Sequence, residues 1–133
     1  MVVTNAQRQA PVHTNELGRV ARCVIRRLRI RTHGALAITL IDARRMRSLN
    51  RAWMRHDRTT DVLTFRYERE PVVGEILIAP AAARDYARRH GLPYREELAR
   101  YVVHGLLHWL GHDDRTTAQQ RTMRAMEDRL LAK

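Results

Sequence analysis

The sequence predicts a single α+β domain over residues 1–133, with a small mixed sheet and helices packed on it. The length suits one hydrophobic core and leaves no room for a second domain of ordinary size. Short β-branched and apolar runs alternate with helix-period stretches in the first half of the chain. The second half is mostly helical in pattern, and helices that follow the strands in this way are typical of an α+β fold.

In the first half, the apolar spacing predicts a helix over residues 15–29 and a buried strand over Ala35–Ile41. Residues 1–13 show no clear period and are interpreted either as an edge strand or as a frayed arm. Asp42 is a suitable N-cap for a second helix whose inner face includes Trp53.

In the second half, two strands are predicted before three helices. Proline suits the first turn of a helix and glycine suits the position after its end, so these residues set most of the boundaries. The predicted strands are residues 61–67 and 74–79, and the predicted helices are 80–91, 93–110, with Gly111 after its end, and a last helix capped by Thr116 or Thr117.

The charge of the chain is strongly positive, with 25 basic and 14 acidic residues and a net charge of +11. Twelve arginines and only two acids, Asp42 and Asp57, lie between Arg19 and Arg58. We expect this segment to form a positive surface for an anionic partner, first of all nucleic acid. The alternative is a general preference for arginine in the source genome.

Neither a membrane span nor a secretory signal is expected, since no apolar stretch approaches the roughly 20 residues that a span needs. The single cysteine, Cys23, excludes an internal disulfide and is predicted to be an inert core or boundary thiol. These features favour a soluble, cytoplasmic protein with no membrane partner.

A metal site is predicted at the end of the long helix in the C-terminal half. His104 and His108 are four residues apart, so both imidazoles lie on one helix face. Gly111 permits a sharp turn, after which residues 112–114 can supply a third ligand. Two such histidines and one ligand from a turn make a zinc site with an open fourth position. The zinc-protease motif has Glu directly after its first His, where this chain has Gly105, which argues against a peptidase.

Several motifs in the same order resemble the YbeY family of bacterial rRNA maturation factors, which are single-strand-specific endoribonucleases. The resemblance covers residues from about 35 to 131. The matching residues are Leu49-Asn50, Thr60-Asp61-Val62-Leu63-Thr64-Phe65, Gly74-Glu75-Ile76, His104-Gly105, Leu107-His108, Gly111, Asp113, Met123 and Glu127.

The chain departs from the family pattern at two functional positions. The family's third metal ligand is a histidine, and Asp114 occupies that position. We expect zinc to be held by His104, His108 and Asp114; the alternatives are His112 as third ligand, or no third ligand at 112–114.

The family's active-site arginine corresponds here to Met54. Arg55 is the next residue, about 100° further around a helix, and is the predicted catalytic cation. Arg58 is another candidate for that role.

The resemblance implies a zinc-dependent endoribonuclease that matures the 3′ end of 16S rRNA and serves ribosome quality control. Its partners would be rRNA or other single-stranded RNA and the small ribosomal subunit with its proteins. Arg44, Arg45 and Arg58 are the expected RNA contacts. The alternative is a non-catalytic ribosome-assembly or rRNA-binding factor with an altered metal site, and a zinc hydrolase of another class is the third hypothesis.

Overall fold

A four-stranded mixed sheet is the central element of the computed structural model, which describes residues 1–31, 34–53, 61–68 and 72–132. The elements in chain order are β1 (Val2–Ala6), α1 (Thr14–Arg27), β2 (Ala35–Ile41), α2 (Ala43–Trp53), β3 (Val62–Arg66), β4 (Val72–Ile78), α3 (Pro80–His90), α4 (Tyr94–Trp109) and α5 (Thr117–Leu131). The α+β prediction is confirmed.

The strands lie in the order β1-β2-β4-β3. β2 pairs in parallel with both β1 and β4, and β3 pairs antiparallel with β4. Residues 2–6 therefore form an edge strand, the first of the two interpretations of this segment. β3 is the opposite edge of the sheet.

The two faces of the sheet bury separate clusters because successive strand residues point to opposite sides. Ile76 and Ile78 of β4 pack in one cluster with α1 and α4, whereas Leu77 between them packs with Met46 of α2. The helices α1 and α2 therefore lie on opposite faces. The described arginines of α1 and α2 accordingly lie on two surfaces, one on each side of the sheet, whereas we expected a single surface.

Helix α4 lies very close to the sheet at Gly105. A Cβ atom at this position would be 2.5 Å from Cγ2 of Ile76, which no real side chain allows. The Thr64 hydroxyl donates a hydrogen bond to the Gly105 carbonyl over 3.2 Å. Trp109, one turn later, is buried and donates from Nε1 to the Val73 carbonyl. These contacts fix the position and rotation of α4, and with them the direction of its histidines.

The ends of the helices follow their local sequence signals. Gly111 has φ +100, and its N–H donates to the His108 carbonyl while the N–H of His112 donates to that of Leu107. This pair of bonds is the Schellman motif that a glycine after a helix favours. Thr116 caps α5 in a reciprocal capping box with Gln119.

The prediction that Cys23 is a core or boundary thiol is wrong, because its side chain is exposed. Its neighbour Val24 is buried, and one residue corresponds to a rotation of about 100° around a helix, which turns Cys23 toward solvent. The predicted inner-face position of the Trp53 side chain lies outside the described part of the chain. Among the described residues, no helix combines the length and apolar character needed to cross a bilayer.

Candidate metal centre

Two imidazole nitrogens meet on the exposed side of α4. His104 and His108 are one turn apart, and their Nε2 atoms lie 3.1 Å from each other. Their rings are in an edge arrangement with centroids 4.7 Å apart. The helix thus presents two nitrogen ligands to the same point in space.

The turn after α4 adds a carboxylate to the pair. Asp114 Oδ2 is 3.3 Å from His104 Nε2, and Oδ1 is 3.3 Å from His108 Nε2. A tetrahedral zinc with ligand bonds of about 2.0–2.1 Å separates its ligand atoms by about 3.3 Å. The three side chains therefore have the spacing of a metal triad and can hold an ion.

His112, the alternative third ligand, does not join this group. It is exposed, and in the part of the chain that the structure describes His104, His108 and Asp114 form the metal-competent cluster. Asp114 is held in place from α5, where Gln120 Nε2 donates to its backbone carbonyl over 3.1 Å. The structure thus brings Asp114, and not His112, to the two histidines, and metal binding by this group stays a prediction.

A buried carboxylate contacts one of the histidines at Nδ1, the ring nitrogen that does not face the triad. Glu127 of α5 places Oε2 2.6 Å from His104 Nδ1, and its side chain is only 5% exposed. A carboxylate at Nδ1 assigns the proton to that nitrogen and leaves the Nε2 lone pair free for a metal. The carboxylate's other oxygen lies 3.0 Å from Nη1 of Arg100.

The ligand group is open to solvent on one side. His104 and His108 are each 27% exposed at the side chain, and Asp114 is 30% exposed. A structural zinc site is normally closed by a fourth protein ligand, whereas a catalytic site keeps a position for water or substrate. The exposure of this group suits the second kind of site.

The predicted arginine contacts fall in different places. Arg55 and Arg58, like Met54, lie outside the described residues. Arg44 and Arg45 are exposed on α2, which packs on the other face of the sheet from α4. The structure does not bring these two arginines to the metal triad, and their contact with RNA stays a prediction.

A different cation, Arg66 of β3, lies at the end of α4. Its Nη1 donates to the Trp109 carbonyl over 2.7 Å, and its guanidinium carbon is 4.7 Å from the centroid of the Trp109 ring. Neither Arg66 nor Arg100 was predicted as a site residue. Arg66 carries no sequence signal of its own, but Arg100 is four residues before His104, and this spacing places both residues on one helix face.

Comparisons with known proteins find relatives of this chain. A sequence model of the family described as Endoribonuclease YbeY matches residues 2–133. A protein named Endoribonuclease YbeY from Rhodococcus opacus is 34% identical over 133 residues, which cover 90% of this chain and 74% of that protein. Its namesake from Persephonella marina is 35% identical over 103 residues, covering 72% of this chain and 67% of that protein.

The match to the protein of the same name from Myxococcus xanthus is 38% identical over 103 residues and covers only 35% of that longer protein. A solution structure of a Thermotoga maritima protein has a TM-score of 0.63 and 22% identity. It covers 98% of this chain, which covers 89% of it in turn. That structure supports the fold alone.

Proposed function

The chain belongs to the YbeY endoribonuclease family, and from this premise we propose that it is a zinc-dependent endoribonuclease acting on single-stranded RNA. The observation that carries the proposal is the triad of His104, His108 and Asp114, whose ligand atoms lie 3.1 to 3.3 Å apart on an open face.

The donor set suits zinc. Two imidazoles and one carboxylate form a borderline-soft set of the kind that zinc hydrolases use. When bound, zinc would supply Lewis acidity toward a phosphodiester and lower the pKa of a water in its open position. With Asp114 in place of a histidine, the site would carry one positive charge less than the family pattern implies.

The protein's own residues would hold and orient the reacting groups. His104 and His108 would hold the ion on a helix that Gly105 anchors to the sheet, and Asp114 would complete the triad from the turn. Arg55 or Arg58 would place a cation near the charge that develops on the phosphate. Arg66, which has donors beyond the one bonded to Trp109, is a further cation at this end of α4.

A peptidase mechanism is disfavoured by the packing of α4. Zinc peptidases of the helical motif carry their general base directly after the first histidine. At that position any side chain would collide with Ile76, because even a Cβ atom would lie 2.5 Å from its Cγ2. A glutamate could not be accommodated without moving α4 off the sheet.

In this proposal the substrate is the segment near the 3′ end of 16S rRNA. The partners are the small ribosomal subunit and its proteins, and the enzyme works in the cytoplasm. The family membership and the net charge of +11 support these assignments. The second candidate function is a non-catalytic rRNA-binding assembly factor, favoured by Asp114 and Met54 at positions where the family pattern has His and Arg.

Cleavage of a labelled single-stranded RNA decides between the two functions. We expect zinc-stimulated cleavage that a chelator abolishes and that His108→Ala removes, while RNA binding survives in the variant. Retained cleavage in His108→Ala would contradict the metal mechanism. RNA binding without cleavage in the zinc-loaded wild type would favour the assembly factor.

A further inference from the structure

Two successive contacts connect Arg100 of α4 with the metal triad. They pass through Glu127 of α5 and end at Nδ1 of His104. Nη1 of Arg100 lies 3.0 Å from Oε1 of Glu127, and the other carboxylate oxygen of Glu127 lies 2.6 Å from Nδ1 of His104. Each oxygen of this carboxylate therefore has a different partner. The orientation of the carboxylate toward His104 depends on the residue that holds its other end.

Burial makes the arginine necessary for this arrangement. The Glu127 side chain is 5% exposed and that of Arg100 is 18% exposed, so little water is available to solvate the carboxylate. An ionised carboxylate in such surroundings is costly unless it is paired and hydrogen-bonded. Without Arg100, Glu127 would lose its balancing charge and the bond that fixes its plane.

We propose that Arg100 is a positioning residue of the metal site, which acts by holding Glu127 so that His104 keeps its proton on Nδ1 and turns the Nε2 lone pair toward His108 and Asp114. The consequence for zinc binding rests on the proposed function. The consequence for the proton on His104 does not, because it follows from the contacts among Arg100, Glu127 and His104 and can be observed before zinc is added.

Arg100 has a second partner that provides a matched control. Its Nη2 lies 2.7 Å from Oδ1 of Asp128, whose side chain is 58% exposed. The variant Asp128→Asn removes a charge from the same arginine without touching Glu127. A general effect of the ion pair on stability should appear in both variants, whereas an effect on the metal site should appear only in Arg100→Gln.

The first test is the ring of His104 in the metal-free protein, observed by ¹⁵N NMR. We expect wild type and Asp128→Asn to carry the proton on Nδ1, and Arg100→Gln to show a different distribution between the two ring nitrogens. An unchanged Nδ1–H form in Arg100→Gln would overturn the proposal.

The second test is zinc affinity by competition with a chelator of known affinity. Mutation of a residue that orients a metal ligand through a hydrogen bond typically lowers metal affinity 10- to 100-fold. We expect Arg100→Gln to weaken binding by about 10-fold or more. Asp128→Asn should be close to wild type, and Arg100→Lys, which keeps the charge but not the two-nitrogen fork, should lie between them.

The double variant Arg100→Gln with Glu127→Gln should bind zinc no more weakly than Glu127→Gln alone. The reason is that Arg100 acts on His104 only through the carboxylate of Glu127. Reduced unfolding stability with full zinc affinity in both Arg100 variants would overturn the positioning role. A wild-type protein that binds no zinc would contradict the proposed function instead, and the His104 ring in the metal-free protein would still decide the role of Arg100.

Discussion

Gly105 shows how one residue sets the geometry of the metal group. It lies between the two histidine ligands, and the absence of a side chain lets α4 lie against Ile76. His104 and His108 leave the helix on the adjacent side, where the turn after Gly111 can reach them. The close contact of Gly105 with the sheet therefore fixes the side of α4 on which the two histidines lie.

Gly105→Ala should destabilise the fold by about 1–3 kcal/mol, the usual cost of overpacking a core. The methyl group would meet fully buried Ile76, which cannot move away. Gly18→Ala in α1 is the control, because its Cβ would meet only the flexible end of Arg22 at 3.1 Å. Urea unfolding of both variants measures the difference, and equal changes in the free energy of unfolding would contradict the account.

Glu97 is a buried carboxylate on α4 that destabilises the fold when it is charged. Burial raises its pKa above the ordinary value of 4.5, and nearby Arg100 and Arg124 offset only part of this shift. A raised pKa in the folded state means that the charged form is penalised. The penalty is absent below pH 4.5, grows as the pH rises through the folded-state pKa, and is complete above it.

Glu97→Gln should therefore be more stable than wild type at pH 8, with the difference shrinking toward zero at pH 4. Unfolding of both proteins at the two pH values tests this, since the substitution removes only the carboxyl group of Glu97. A difference that does not change with pH would show that the charge of Glu97 is not the cause.

At the scale of elements, the end of α4 and the starts of α2 and α5 were predictable because their signals are local. Gly111, Thr116 and Asp42 each act within four residues, and the structure has each in the predicted role. The exposed position of Cys23 was not predictable, because the periodicity of α1 left it near the boundary of the apolar face. The contact of Arg100 with Glu127 joins residues of two helices that are 27 positions apart in the sequence, and no local pattern encodes it.

Thr116→Ala should lower the free energy of unfolding by about 1 kcal/mol, because the capping hydroxyl accepts from the Gln119 N–H at the start of α5. Thr117→Ala, at the next exposed position, should have a much smaller effect. Thermal or urea unfolding provides the comparison. Equal losses in the two variants would contradict the assigned cap.

At the scale of the whole molecule, the helices α1 and α2 carry arginine-rich surfaces on opposite sides of the sheet. The sequence predicted the positive charge but not its distribution over two surfaces. That distribution depends on how the strands pair and on which face of the sheet each helix packs. The triad lies on the side of α1, α4 and α5, so RNA held by α2 would have to pass an edge of the sheet to reach it. Edge strand β3 follows α2 along the chain and contacts α4 through Thr64.

Arg44→Gln with Arg45→Gln should weaken single-stranded RNA binding and reduce the slope of log affinity against log salt by about 1.4, or about 0.7 for each lost phosphate contact. Arg22→Gln with Arg26→Gln removes the same charge from α1, on the side of the triad, and compares the two surfaces. Fluorescence anisotropy at several salt concentrations measures both. Equal losses in the two pairs would indicate an effect of net charge and not a site on α2.

The zinc content of the protein tests the central claim most directly. Elemental analysis of untagged wild type should find about one zinc per chain, as an open three-ligand site holds one ion. Asp114→Ala should lose the metal, while His112→Ala should keep it. Absence of stoichiometric zinc from the wild type even after zinc is supplied, or full zinc content in Asp114→Ala, would contradict a site built from His104, His108 and Asp114.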